Sequence, residues 1–250
     1  MEMKINFFGT WIDDQNEKRQ LAQVNSFIQS NQPHYITYSN VRVVVTARKD
    51  KELMEAINQA DISSPDGKPL EIVARLKGLK DFRRCAGPDM MLAILEESEK
   101  RGYTNYFYGS TRDTLDRLKD NLLKRYPKLK ILKMYSPPFR PLTTEEEKVI
   151  IDEFNALSPD LIWIALGAPK QEKWMFQVRK RLTRGTMLGV GAAFDFHAHT
   201  LKRAPRWMQQ WGLEWFFRLI SEPRRLFKQY LVTNTLFFLY LLKYGVKISE

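Results

Sequence analysis

The 250-residue sequence contains few of the residues that build disulfide scaffolds and metal sites, with one cysteine and three histidines. Cys85 has no second cysteine to pair with, which excludes a disulfide-stabilised scaffold and favours a reducing compartment. The same scarcity leaves no zinc-type spacing of Cys and His. His197 and His199 stay open to two interpretations, ligands of a metal shared with an acid or polar surface residues.

Long apolar runs are also absent. The longest, "LVTNTLFFLYLL" from Leu231 to Leu242, is interrupted by Thr and Asn and is shorter than the ~20 residues that a spanning helix needs. The opening "MEMKINFFGTWIDDQN" lacks the basic stretch and apolar core of a signal peptide. We therefore expect a protein that is not integral to a membrane.

A complete dinucleotide fingerprint is missing as well. Gly189 and Gly191 in "GVGAAF" match its first two glycines, but Phe194 occupies the third position and no helix is expected to follow. The pattern therefore argues against a nicotinamide cofactor.

Positive charge is abundant and unevenly distributed. The net charge is +11, and the segment from Lys202 to Glu250 holds nine Lys or Arg against three Glu, a net +6. A basic, aromatic-rich tail on a nearly balanced body indicates an anionic partner for the tail, which can be a membrane surface, a nucleic acid or a phosphorylated ligand.

The body alternates strand-like and helix-like segments. We read "HYITYSNVRVVV" as strand and turn, place a turn at Pro65, Asp66 and Gly67 within "DISSPDG", and read "TMLGVGAAFDF" as strand and loop. Strands are expected in "YTNYFYGS", "LKILKMY" and "PDLIWIALG", and helices in "KDKELMEAINQA", "PDMMLAILEESEKRG", "TRDTLDRLKDNLLKRYP", "TEEEKVIIDEFNAL" and "KQEKWMFQVRKRL". Such alternation predicts an α/β fold with a Rossmann-like parallel sheet covered by helices on both faces.

Ligands of such sheets bind beyond the carboxyl ends of the strands. Three predicted strand exits carry small residues and backbone donors, at 109–111, 165–172 and 189–195. Helix N-termini in this position suit an anion such as a nucleotide phosphate. Lys170 would add charge near that phosphate or be simply solvated.

The tail has a different composition from the body. Trp207, Trp211 and Trp215 recur every four residues, which predicts one helical face, and Pro223 is expected to break that helix and start another. We therefore divide the chain into a core, 1–200, and a helical appendage, 201–250, that associates with the headgroup zone of a membrane. The alternative is that the tryptophans pack on the body as core.

Several of these segments together resemble one family. "SPDGKPL", "RRCAGPDMM", "GAPKQEKWM", "GVGAAFDF" and "LKRAPRWMQQWGLEWFFRLISEPRRL" are similar, in this order, to motifs of the WecG/TagA/CpsF glycosyltransferases, glycosyltransferase family 26. The resemblance implies a bacterial hexosyl- or N-acetylhexosaminyltransferase that moves a sugar from a UDP-sugar to a polyprenyl-diphosphate-linked saccharide. It further implies inversion, no essential metal or cofactor, and a cytoplasmic protein held peripherally at the inner face of the membrane.

The resemblance also assigns site residues. It makes Asp66 the general base, Arg84 a substrate contact, Gln171 the donor-site glutamine and Asp195 the aspartate of "FDF". The strand-end contacts fall on Thr37 and Asn40, where "TYSN" replaces the usual Thr-Pro-Asn-like triplet, and the arginines of the appendage are Arg203, Arg218, Arg224 and Arg225.

Chemistry supports part of this assignment. An inverting transfer needs one carboxylate to take the proton of the acceptor hydroxyl, although a Pro-Asp-Gly aspartate such as Asp66 is also an ordinary turn residue. The leaving UDP needs a metal or protein donors. No Asp-x-Asp pair that could hold a metal lies at a strand exit, and Asp13-Asp14 lies in the amino-terminal segment. The arginines are therefore the candidates for binding the diphosphates. Each arginine alone can equally be a solvated or lipid-facing charge.

The side-chain amide of Gln171 offers both a donor and an acceptor to sugar hydroxyls. Two rival functions stay open, a non-catalytic module that binds polyanions or membrane surfaces and an enzyme acting on another nucleotide-linked substrate. The preferred hypothesis includes no nucleic acid partner. It leaves open the sugar, the acceptor linkage and the oligomeric state, a homo-oligomer included.

Overall fold

The computed structural model describes residues 3–249, apart from the side chain of Arg225. Its elements are, in chain order, β1 Lys4–Phe7, β2 Thr10–Asp13, α1 Glu17–Ser30, β3 Pro33–Ser39, α2 Val41–Ala47, α3 Lys51–Asn58, β4 Ile62–Pro65, α4 Lys68–Leu76, α5 Gly87–Arg101, β5 Thr104–Gly109, α6 Arg112–Arg125, β6 Lys130–Tyr135, α7 Thr144–Leu157, β7 Leu161–Ala165, α8 Lys170–Arg179, β8 Gly185–Gly189, α9 Ala193–His197, α10 Arg206–Gln210, α11 Glu214–Ser221, α12 Pro223–Tyr244 and β9 Val246–Ile248.

The chain separates into two compact units. The first combines Met1–Asn16, Tyr38–Ala86 and Lys202–Glu250, and the second combines Glu17–Thr37 and Gly87–Leu201. The carboxyl-terminal segment thus packs with two earlier segments and does not form a body of its own. The functional division into 1–200 and 201–250 stays a prediction.

The second unit contains a parallel sheet of order β3-β8-β7-β5-β6. Every residue of β8 and the first four of β7 are buried, which requires cover on both faces. Helices α1 and α8 both pack against β8, and α6 buries Leu115, Leu118 and Leu122 at helical spacing. The predicted α/β fold with a parallel sheet and flanking helices is confirmed.

The first unit contains an antiparallel sheet of order β2-β1-β9, which joins the two ends of the described chain. The backbone N–H of Ser249 donates to the carbonyl of Lys4 at 2.8 Å, and the N–H of Lys4 donates to the Ser249 hydroxyl at 2.7 Å. Phe237 of α12 is buried against Phe7 and Phe8 of the β1–β2 hairpin. These apolar contacts fix α12 to the amino-terminal sheet.

Two local predictions were wrong, and one strand was not predicted. The run "VRVVV" is helix α2, because Asn40 caps its first turn by accepting the Val43 N–H at 3.2 Å and because three of its four valines are buried in the first unit. The strand that was not predicted is β4, in the first part of "DISSPDG", where Ser63 and Ser64 are buried. The short helix α9 does follow "GVGA".

The tryptophan stripe was also predicted wrongly. Gly212 has a φ of 73° and interrupts the tail, so Trp207 lies on α10, Trp211 caps its end and Trp215 lies on α11. The three indoles are 58%, 79% and 38% exposed, so they do not form a buried core. Pro223 does start α12, as expected.

Among the described helices, none combines the length and apolarity needed to cross a membrane.

Candidate active site

The second unit forms its strand exits from closely packed backbone. At the end of β5, Gly109 has a φ of 124°, and a Cβ at this position would lie 2.5 Å from the carbonyl oxygen of Ala165. The next residue, Ser110, donates its backbone N–H to that same oxygen at 3.2 Å. Only glycine fits this conformation and this approach, so the ends of β5 and β7 are held together through their backbones.

Gln171, in the first turn of α8, joins two of these exits. Its Oε1 accepts the Gly167 N–H at 3.1 Å, and its Nε2 donates to the Gly189 carbonyl at 2.6 Å and to the Glu172 carboxylate at 3.0 Å. The residue is only 4% exposed. The glutamine named from the sequence therefore fixes the loops after β7 and β8, and its contact with a sugar stays a prediction.

Thr37 lies opposite Gly189 in the register of β3 and β8. It is fully buried, and its hydroxyl has no hydrogen-bond partner among the described residues. A buried hydroxyl without a partner is costly unless a ligand or water satisfies it. The role of Thr37 as a substrate contact stays a prediction.

Asp195 lies on α9, after the glycine-rich loop that follows β8. The hydroxyls of Ser110 and Thr200 each lie 3.5 Å from its Oδ1, the first from the β5 exit. These long contacts place its carboxylate beside the β5 exit, so a carboxylate and a hydroxyl stand together at this edge of the sheet.

An aromatic stack connects β6, β5 and α8 at this edge of the sheet. Tyr108 of β5 stacks on Trp174 of α8 at 4.8 Å between ring centroids and on Tyr135 of β6 at 5.9 Å. Burial raises the pKa of the Tyr108 hydroxyl well above its usual value, so this group is neutral at physiological pH. The stack anchors α8 and therefore the position of Gln171.

The first unit holds the predicted base. Asp66 directly follows β4, and its backbone N–H donates to the carbonyl of Ser39 at 2.8 Å. A Cβ on the next residue, Gly67, would lie 3.5 Å from Cα of Asn40. Asn40, whose side chain caps α2, is thus a close neighbour of the 66–67 turn.

Arg84 lies beside the same turn. The N–H of Cys85 donates to the carbonyl of Pro65 at 2.7 Å, and the Arg84 N–H donates to Oε2 of Glu71 at 2.9 Å. The first bond links the backbone next to Arg84 with the backbone next to Asp66, and the second links Arg84 with α4. The first unit therefore brings the predicted base and one predicted arginine together.

The appendage adds Arg203 to this group. Glu214 of α11 accepts Arg84 Nη2 on Oε2 at 2.7 Å and Arg203 Nε on Oε1 at 3.3 Å. Sequence reasoning missed Glu214, although it is one of only three acids in a tail with nine basic residues. That scarcity was the available signal.

The remaining arginines are less organised. Arg218 of α11 is half-buried, with a buried Nε that has no partner in the described structure, whereas Arg224 is exposed at the start of α12. The side chain of Arg225 lies outside the described residues. The structure thus groups Arg203 with Arg84 and does not bring Arg224 into that cluster.

No cluster of three or more His, Cys, Asp or Glu with metal-site geometry occurs in the part of the chain that the structure describes. The His197 ring contacts the carbonyl of Pro88 at 2.9 Å. The Asp13 carboxylate is bound by Lys4 at 2.9 Å and by the N–H of Ser63 at 2.7 Å. Lys4 lies on β1 and Ser63 on β4, so these contacts of Asp13 connect two strands of the first unit.

Comparison with known proteins adds the family. The model of the glycosyl transferase WecG/TagA/CpsF family matches residues 5–250. Two relatives are named N-acetylglucosaminyldiphosphoundecaprenol N-acetyl-beta-D-mannosaminyltransferase. The protein of Bacillus subtilis (strain 168) is 28% identical over 82% of this chain and 81% of its own length. That of Bacillus spizizenii (strain ATCC 23059 / NRRL B-14472 / W23) is 25% identical over 80% and 76%. The chain therefore belongs to the WecG/TagA/CpsF family of glycosyltransferases.

Proposed function

We propose that this glycosyltransferase moves a sugar from a UDP-sugar to a saccharide on a polyprenyl diphosphate, with inversion at the anomeric carbon. The names of the two relatives indicate the substrates to test first, N-acetylmannosamine as the sugar and N-acetylglucosaminyldiphosphoundecaprenol as the acceptor. The observation that carries the proposal is the group of Asp66, Arg84 and Arg203 in the first unit.

Asp66 is the general base of this reaction. Its carboxylate takes the proton of the acceptor hydroxyl while the oxygen attacks the anomeric carbon and the bond to UDP breaks. The electron pair of that bond stays on the diphosphate of UDP, whose charge needs cationic donors. Arg84, Arg203 and Arg218 supply guanidinium groups for the donor or acceptor diphosphate, since guanidinium binds phosphate oxygens in a bidentate manner.

The second unit provides the donor contacts in this proposal. Its support is the polar content of the strand ends, where the buried Thr37 hydroxyl has no partner among the described residues and the Asp195 carboxylate adjoins Ser110. Backbone N–H groups at the loops held by Gln171 suit the phosphates of UDP. Metal independence is part of the proposal and predicts full activity in excess EDTA.

The exposed face of the appendage supports peripheral binding to the inner membrane surface. Its exposed apolar side chains include Trp207, Trp211, Phe216, Ile220, Phe227, Leu231, Phe238 and Leu242. Basic residues such as Arg224 and Lys228 accompany them, a combination typical of helices that lie in the headgroup zone. Flotation with anionic and neutral vesicles tests this part, and equal binding to both would contradict the electrostatic contribution.

The deciding experiment is a transfer assay. Purified protein is incubated with a panel of labelled UDP-sugars and a polyprenyl-diphosphate-linked N-acetylglucosamine in detergent micelles, and the product anomer is assigned by NMR. Transfer with inversion from one UDP-sugar supports the proposal. Binding to vesicles or polyanions without transfer from any nucleotide sugar would favour the non-catalytic module, for which no specific observation speaks at present.

A further inference from the structure

Glu214 connects two of the predicted diphosphate ligands across a long stretch of sequence. One carboxylate oxygen binds Arg84, 130 residues away, and the other binds Arg203, 11 residues away. Each contact uses one N–H of a guanidinium group that carries five. The carboxylate therefore joins the two arginines.

The three side chains are largely withdrawn from solvent, with Arg84, Arg203 and Glu214 15%, 17% and 21% exposed. Two guanidinium groups this close to one carboxylate would repel each other if the carboxylate were neutral. In a partly buried site this repulsion is only weakly screened. The Glu214 carboxylate thus allows the two guanidinium groups to lie close together.

Glu214 also lies at the point where the appendage meets α4. The preceding turn contains Gly212, where a Cβ would lie 2.9 Å from Cβ of Lys68. Lys68 in turn binds Glu71 at 2.8 Å, and Glu71 accepts the backbone N–H of Arg84. The contacts around Glu214 form one continuous path from the appendage to the segment beside Asp66.

We infer that Glu214 is a positioning residue, whose carboxylate holds Arg84 and Arg203 together as one diphosphate-binding pair and fixes the α10–α11 turn to the first unit. The inference rests on the proposed function for the identity of the ligand, a diphosphate. That diphosphate belongs to the donor or to the lipid acceptor, and separate kinetics for the two substrates distinguish these sources.

The test compares Glu214→Gln, Arg203→Met and the double variant in the transfer assay. Glu147→Gln is the matched control, because Glu147 forms an Arg–Glu pair with Arg181 in the second unit, at 2.5 Å. We expect Glu214→Gln to lower kcat/KM for the diphosphate substrate about 100-fold, the loss that a misplaced binding group produces. The kcat/KM of the double variant should be no lower than that of Glu214→Gln, because both changes remove the same bridge.

A second readout does not depend on turnover. Hydrogen exchange of the backbone at 203–222 should accelerate in Glu214→Gln and Arg203→Met and should be unchanged in the Glu147→Gln control. If Glu214→Gln does not fold, Arg203→Met alone tests the inference. For this variant we expect about tenfold lower kcat/KM and faster hydrogen exchange.

Retention of wild-type kinetics and exchange by Glu214→Gln would overturn the inference, as would a double variant whose loss equals the product of the single losses. A wild-type protein that transfers no sugar would instead contradict the proposed function. Accelerated exchange at 203–222 in Glu214→Gln would still support the bridge in that case.

Discussion

The two units organise their predicted site residues by opposite means. The second unit uses backbone geometry and one buried neutral amide, with Gly109, Gly189 and Gln171 at the ends of neighbouring strands. The first unit uses charged side chains that come from distant segments, with Arg84 bound to Glu214. The difference teaches that short motifs describe the strand exits well, whereas the charged cluster depends on tertiary packing.

The largest effect is expected in the first unit, whose predicted site residues are charged. Asp66→Asn should lower turnover about 1,000-fold, because the amide cannot accept the proton of the acceptor hydroxyl. Initial rates of sugar transfer measure this, with Asp81→Asn, an exposed aspartate of the same unit, as the control. Turnover within tenfold of wild type would remove Asp66 from the proton transfer.

The second effect tests the backbone geometry of the strand exits. Gly109→Ala should lower the free energy of unfolding by about 3 kcal/mol, because it adds a clash with the Ala165 carbonyl to the strain of a positive φ. Gly167→Ala is the matched control, with a φ of 77° and no atom within 4 Å of the added Cβ, and should cost about 1 kcal/mol. Urea denaturation measures both, and equal losses would show that the close approach is unimportant.

A third effect tests the neutral amide. Gln171→Ala removes the hydrogen bonds that join the loops after β7 and β8, so UDP affinity should fall about tenfold as these loops relax. Calorimetric titration measures it, with Gln177→Ala, an exposed glutamine of the same helix, as the control. A dissociation constant unchanged from wild type would separate Gln171 from the donor site.

The smallest effect concerns an exposed cation of the first unit. Arg224→Ala should weaken binding to anionic vesicles about fivefold, since one basic residue near such a surface contributes roughly 1 kcal/mol. Arg112→Ala, an exposed arginine of the second unit, should leave vesicle binding unchanged. A similar loss in both variants would show that net charge alone, and not the appendage, attracts the membrane.

The sequence predicted the sheet unit well for a physical reason. Strands such as "PDLIWIALG" are buried on both faces and stand between amphipathic helices, so local pattern and tertiary structure agree. Helix α2 was missed because a run of valines favours a strand, and the Asn40 cap with burial of the valines overrides that preference.

The residues of the candidate site could be predicted only where they lie in a sequence motif. The resemblance named Asp66, Arg84 and Arg203, but their grouping depends on contacts between segments that no spacing rule connects. Glu214 was missed because its partner Arg84 is remote in sequence. Gln171 lies at the strand exit, but its residue type did not indicate that backbone groups of two loops would occupy its amide.

The central claim assigns proton transfer to Asp66 of the first unit and donor binding to the second unit. Its most direct test is calorimetric titration of wild type, Asp66→Asn and Gln171→Ala with UDP, beside ADP and GDP. The account predicts selective UDP binding that Asp66→Asn retains within twofold and Gln171→Ala weakens. A loss of UDP affinity in Asp66→Asn as large as that in Gln171→Ala, or no UDP binding by the folded wild type, would contradict it.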